Sequence, residues 1–196
     1  MKFPVCRFDL ESDILCPNCQ EKLDNGEISE FDIEFSKWLI ARDKEYLALA
    51  DVQLKRAIRL PNRLILILKK RQKEIFLTAE PLLTEIAETF GKLMIFEGTP
   101  KLRSVVRMLI APAVEVGVNN LYLPDGFKES IVMLRPEDRE RIAYSKEELR
   151  EIVSAVIGET VIFQYQNERI EKEREQPRDQ FDERMTELSE RRREDS

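Results

Sequence analysis

The chain has no histidine, one tryptophan and only six glycines among its 196 residues. Without histidine, the commonest general base near neutral pH and the commonest metal ligand are both missing. The glycines stand at 26, 91, 98, 117, 126 and 158, and no two of them are three residues apart. That spacing excludes a phosphate-cradling P-loop and a dinucleotide fingerprint, and no Gly-x-Ser-x-Gly elbow is present. Acidic side chains are plentiful at 38, so neighbouring carboxylates arise by chance and assign no acid–base pair. No apolar run approaches the ~20 residues that span a bilayer. The first residues, Met1-Lys2-Phe3-Pro4-Val5-Cys6, lack the apolar stretch of a secretory signal. These absences predict a cytoplasmic protein with no membrane segment, no catalytic residues and no small-molecule substrate.

What cysteine there is lies in one place: Cys6, Cys16 and Cys19. Cys16-Pro17-Asn18-Cys19 has the form of a metal knuckle, with Pro17 fixing φ so that two thiolates converge on one ion. Upstream, Cys6-Arg7-Phe8-Asp9 repeats the two-residue gap with a carboxylate in second place. Free thiols in a reducing compartment need no metal, but the clustering favours structural zinc, held by Cys6, Asp9, Cys16 and Cys19. With no histidine, the fourth ligand must come from Asp9, Glu11, Asp13 or water. No His/Glu constellation stands ready to activate a zinc-bound water, so a catalytic ion is disfavoured.

Charge is unevenly spread. Residues 1–51 carry 6 basic and 12 acidic side chains, residues 52–113 carry 12 and 5, and residues 114–196 carry 14 and 21. Within 52–73 the run Lys55, Arg56, Arg59, Arg63, Lys69, Lys70, Arg71 and Lys73 contains no acid. A charge run is ordinarily a solvated face, but a one-signed run between oppositely charged flanks is a candidate polyanion site. It is expected to form one exposed patch, joined by Arg103 and Arg107.

Local signals order the rest. Asp24-Asn25-Gly26 is a turn, and Ser29 with Asp32 forms a capping box, stapled by Ile28 and Ile33, that opens a helix over 29–50. A hairpin follows, with Gln53–Arg59 and Leu64–Leu68 flanking Leu60-Pro61-Asn62. Residues 74–90 read as helix broken or kinked at Pro81 and closed by Gly91. Lys92–Glu97 is a strand. Thr99-Pro100 opens a helix to Ile110. Strands Val114–Leu123 and Glu129–Leu134 are joined by a turn at Pro124–Phe127. A short helix Pro136–Ile142, a capped helix from Ser145 to Ile157 and a strand Thr160–Tyr165 complete the pattern. Beyond Gln166 the composition is charged, and a disordered or frayed tail is expected, although Phe181, Met185 and Leu188 share one helical face.

This is an α+β plan: a zinc-knuckle segment at 1–28, a unit at 29–113, a second unit at 114–165 and a tail at 166–196. Helix, strand, strand, helix, helix, strand occurs twice, the arrangement of a type II KH module. The segments Phe90-Gly91-Lys92 through Glu97, Val105 through Ala111-Pro112-Ala113-Val114, and Leu134-Arg135-Pro136-Glu137-Asp138 resemble archaeal NusA-like tandem KH-domain proteins, in which a zinc-knuckle extension also occurs. The resemblance covers roughly 52–165 in layout and is tightest over 90–138.

A KH module grips nucleotide backbone with a Gly-x-x-Gly loop. Here that slot falls at Phe76–Pro81 in the first unit and Arg139–Ser145 in the second, both without glycine. The units are therefore degenerate, and none of the family's nucleotide-gripping residues carries over. The resemblance implies a non-enzymatic, RNA-associated factor in transcription elongation, termination or ribosome-linked work. Single-stranded RNA would be held by phosphate contact, with weak sequence preference. The alternative is an adaptor that kept the fold, lost nucleic acid and docks an acidic protein partner.

Overall fold

The computed structural model describes residues 1–42, 44–122, 126 and 128–167. The expected α+β architecture is present, with seven α-helices and two three-stranded sheets among the described residues. Two compact units divide the chain: Met1–Val105 with Glu151–Gly158, and Val106–Arg150 with the segment from Glu159. No helix among the described residues is long and apolar enough to cross a membrane.

The first unit opens with two short helices, α1 (Arg7–Ser12) and α2 (Pro17–Asp24), followed by α3 (Glu30–Ile40). The capping box at Ser29 is complete: its hydroxyl accepts from the Asp32 amide, and the Asp32 carboxylate accepts from the Ser29 amide at 2.7 Å. Ile28 and Ile33 both join a small apolar cluster with Val5, Leu10, Cys19 and Leu23. Residues 1–28 thus fold onto the start of α3.

Strands β1 (Leu54–Leu60), β2 (Arg63–Leu68) and β3 (Lys92–Glu97) form the first sheet, with helices α4 (Lys73–Leu77) and α5 (Glu80–Phe90) between β2 and β3. β1 and β2 are antiparallel, and β2 and β3 are parallel. Alternation along β2 sends Leu64, Leu66 and Leu68 into the main core with Phe35 and Leu39 of α3, Phe76 of α4, and Leu82, Ile86 and Phe90 of α5. Trp38 joins the aromatic stripe, stacked on Phe35 at 5.7 Å and edge-on to Phe90 at 5.3 Å. Its role is packing.

The second unit repeats the topology with β4 (Gly117–Tyr122), β5 (Lys128–Leu134) and β6 (Thr160–Tyr165). β4 and β5 are antiparallel, β5 and β6 parallel. Val132 and Leu134 of β5 lie beside Phe163 and Tyr165 of β6, and all four are buried. Helices α6 (Leu102–Ile110) and α7 (Lys146–Ile157) precede β4 and β6.

Several sequence-based boundaries are corrected. The helix expected over 29–50 stops at Ile40. The Trp38 carbonyl, which would bind the Arg42 amide in a continuing helix, accepts the Arg42 guanidinium at 2.8 Å instead. The Arg42 amide turns to Leu39 at 3.1 Å, and Leu47–Leu49 forms only a 3₁₀ turn. Of the break or kink expected at Pro81, the break is present: α4 ends at Leu77, and Pro81 sits in the first turn of α5. α6 begins at Leu102 rather than Pro100, its first bond running from the Val105 amide to the Lys101 carbonyl. β4 begins at Gly117 rather than Val114; ahead of it Glu115 pairs with Arg107, and the Val116 amide donates to the Met133 carbonyl at 2.8 Å. In place of a helix over 136–142, only Pro136–Asp138 is 3₁₀. The expectations for Leu123–Asp125 and Phe127, and for the tail beyond Asn167, lie outside the described residues.

Candidate metal centre and basic surface

Each half of the cysteine array is built on the first turn of a helix. Cys6 is the N-cap of α1 with Asp9 at its third position, and Cys16 is the N-cap of α2 with Cys19 at its third. The knuckle turn is therefore the opening of a helix, with Pro17 in its first position, where a missing N–H costs nothing. Neither N-cap side chain caps its own helix. The amides cross over: Cys6 N–H donates to Cys19 Sγ at 3.4 Å, and Cys16 N–H donates to Asp9 Oδ2 at 3.1 Å. This exchange draws the two helix starts together.

The ligand atoms of Cys6, Asp9, Cys16 and Cys19 all lie within 4.8 Å of one another, and the group could hold a metal ion. Cys6 and Cys16 Sγ are 4.0 Å apart, close to the roughly 3.8 Å that tetrahedral zinc with Zn–S of about 2.3 Å requires. Asp9 and Cys19 are buried, Cys16 is half-buried and Cys6 is exposed. Hydrogen bonds from the thiols of Cys19 and Cys16, then from the Cys16 amide, hold the Asp9 carboxyl below its ordinary value. Burial first, then the neighbouring Asp9, push the Cys19 thiol up to about 12. A bound cation reverses that balance by favouring the thiolate. Of the alternative fourth ligands, Asp13 ion-pairs with Lys37 and Glu11 with Arg7, which leaves Asp9 as the carboxylate in the cluster.

The basic run does not form one patch. Antiparallel pairing places Leu54 beside Leu68 and Leu60 beside Arg63, so the run divides between the two ends of the sheet. Arg59 and Arg63 lie at one end. Lys55, Lys69, Lys70, Arg71 and Lys73 lie at the other, about 17 Å away for a six-residue strand. Intramolecular partners occupy several of these cations. Arg56 Nε binds the buried Asp32 carboxylate at 3.1 Å. Arg59 sits 5.9 Å from the ring centres of Phe31 and Phe90. Arg107 forms a forked pair with buried Glu115, at 2.9 and 3.0 Å from Nε. Arg103 is exposed on α6.

At the far end, Lys55 Nζ reaches the Gly98 carbonyl at 3.3 Å, and the Lys70 stem lies against Gly98, 2.8 Å from where a Cβ would stand. Lys69, Lys70 and Arg71 are exposed on the turn between β2 and α4. The Glu97 carboxylate accepts from the Gln72 and Lys73 amides at 2.7 and 2.8 Å, ahead of α4. The Lys73 amide is the principal cause holding that carboxyl below its ordinary value. An anion already sits there, so this helix start offers phosphate no vacancy. In the segment Phe76–Pro81, where a Gly-x-x-Gly loop is expected of the family, Thr78 and Ala79 join α4 to α5, and Ala79 is buried in the core.

Sequence reasoning missed the acidic partners of these cations. Asp32 and Glu97 carried no sequence signal of such a role beyond Asp32's capping position. Glu115 did: a lone carboxylate between valines, and it is buried.

No family model and no curated protein matches the chain. A solved structure titled "Crystal structure of APE1850" is similar at a TM-score of 0.45 and 17% identity, covering 64% of this chain and 96% of that one.

Proposed function

We propose that the protein is a cytoplasmic, non-enzymatic, RNA-associated factor of the NusA-like tandem KH type, with a structural zinc ion in its N-terminal segment. The carrying observation is the repeated topology. Each sheet has an antiparallel pair whose second strand is central and runs parallel to a third strand that follows helical elements. That is the layout the resemblance implies for two type II KH units. Zinc is favoured by three cysteine sulfurs and one carboxylate whose ligand atoms lie within 4.8 Å of one another. Cys6, Asp9, Cys16 and Cys19 would hold the ion, which would fix the two helix starts and perform no chemistry.

RNA would meet the cluster Lys69, Lys70 and Arg71, with Lys55 and Lys73 beside it, through phosphate rather than base contacts. A link to the transcription or ribosomal machinery follows from the resemblance alone. The second reading, an adaptor docking an acidic protein, is favoured by buried Ala79 in the slot and by Glu97 at the start of α4. Titrating mixed-sequence single-stranded RNA at low ionic strength separates the two. Binding that K69A/K70A/R71A abolishes supports the RNA factor; no binding by the intact protein supports the adaptor.

A further inference from the structure

The two sheets treat the same edge differently. In the first, β1 is guarded on its outer side. The Lys2 amide donates to Val52 at 2.9 Å, the Leu54 amide donates to Lys2 at 2.9 Å, and the Ala57 amide donates to Asp32 Oδ1 at 2.5 Å. In the second sheet β4 holds the equivalent edge. Among the described residues no backbone hydrogen bond reaches β4 from its outer side. Asn119, Asn120, Leu121 and Tyr122 are exposed, Tyr122 by 77%. Gly117–Tyr122 contains no charged residue and no proline, two of the devices that ordinarily blunt an open edge.

We infer that the outer edge of β4 pairs with β4 of a second copy of this chain, independently of the RNA and metal readings. A row of main-chain donors and acceptors is matched by another strand. The uncharged strand gives an oppositely charged partner nothing to hold, whereas it suits itself. A two-fold axis normal to the sheet pairs residues of equal parity, because side chains alternate between faces. Centred on Asn120, that axis sets Val118 beside Tyr122 of the second copy and Asn119 beside its Leu121. Apolar side chains meet on one face; the two Asn120 residues, each with its Oδ1 accepting from its own Ser130 hydroxyl at 3.0 Å, meet at the centre through their NH2 groups, and no like charges face each other within the strand. Two three-stranded sheets become one of six strands, an ordinary size.

The test uses the full chain in sedimentation equilibrium from about 5 to 500 µM, with amide hydrogen exchange at both extremes. The inference requires mass rising toward the dimer and exchange at 117–122 slowing with concentration. Asn120→Lys places two like charges on the axis and should weaken association by about tenfold or more. A monomer throughout the range overturns the inference. So does a dimer whose β4 exchange ignores concentration, or an N120K chain with unchanged circular dichroism that dimerises as before. Should N120K misfold, exchange in the unaltered chain still decides.

Discussion

Arg42, just beyond α3, holds Glu85 of α5 in a forked ion pair, with Nε 2.8 Å from Oε1 and 2.9 Å from Oε2, while Nη2 also bonds Oε1. The same guanidinium lies 3.9 Å over the Trp38 ring. One side chain thereby ends a helix, by taking its carbonyl, and fastens that helix to another. The pair is only partly exposed, and its planar fork gives it a geometry that a lysine could not reproduce.

Glu85 should make stability pH-dependent in a defined sense. The hydrogen bond from Arg42 is the largest cause lowering its carboxyl from 4.5. A depressed folded-state value adds stability that is present above the unfolded value and lost as pH falls through the folded one. Denaturant midpoints of the unaltered chain and Glu85→Gln should therefore differ at pH 7 and converge as pH drops well below about 4.5. Curves that stay parallel to pH 2 would deny the pair any such role. Arg42→Lys, which keeps the charge, should still lower stability by about 1 kcal/mol through the lost stacking and fork.

Purified protein prepared without chelator should carry about one zinc per chain. Cys16→Ser or Cys19→Ser should release it and disorder residues 1–28 while the sheet-centred core persists. Because thiols give up protons on ligation, affinity should fall as pH falls, with Cys19 contributing strongly, since its ion-free thiol is held near 12. Elemental analysis and calorimetry in two buffers of different ionisation enthalpy read both effects. Metal-free protein with three freely titrating thiols would end the zinc reading.

For RNA, the three exposed cations at 69–71 imply a log–log salt slope near −2, at about −0.7 per phosphate contact. K69A/K70A/R71A should flatten it and weaken every sequence alike, since phosphate contacts carry no sequence information. Arg56→Ala and Arg107→Ala should leave the slope nearly unchanged, because acids inside the protein already hold them. A strong preference for one short motif in a selection experiment would contradict the backbone-only mode.

Two positions should be intolerant for reasons unrelated to RNA or metal. Gly91 has φ +86, and a Cβ there would stand 2.7 Å from the Asn62 carbonyl oxygen. Gly91→Ala thus adds a backbone clash to a strained conformation and should cost about 3 kcal/mol or more. Asp32 serves the Ser29 amide, the Ala57 amide and Arg56 at once. Asp32→Ala strands buried donors and should cost about 2–4 kcal/mol. Thermal melts of the two variants check both.

Features encoded within a few residues were legible in the sequence. The capping box of Ser29 and Asp32, the break at Pro81, the strands around Leu66 and Met94, and the four-residue ligand cluster depend on short spacings and periodicity. What escaped depends on residues distant in the chain. The end of α3 is set partly by Glu85, which no local signal near Ile40 announces. The division of the basic run follows from strand register, and the quenching of Arg56 and Arg107 from carboxylates that folding delivers. Gly91 read as a helix stop, but its close approach to Asn62 needed the tertiary structure.

Helices α1 and α2 have six and eight residues, lengths at which an isolated helix does not persist in water. An ion held by Cys6, Asp9, Cys16 and Cys19 would also anchor the segment that begins at Lys2. Removing it would free that strap and uncover the outer edge of β1 from Val52 to Leu54. A chelated sample should therefore turn cloudy on standing before its main core melts, because starvation for metal would transform a guarded sheet margin into a template for aggregation.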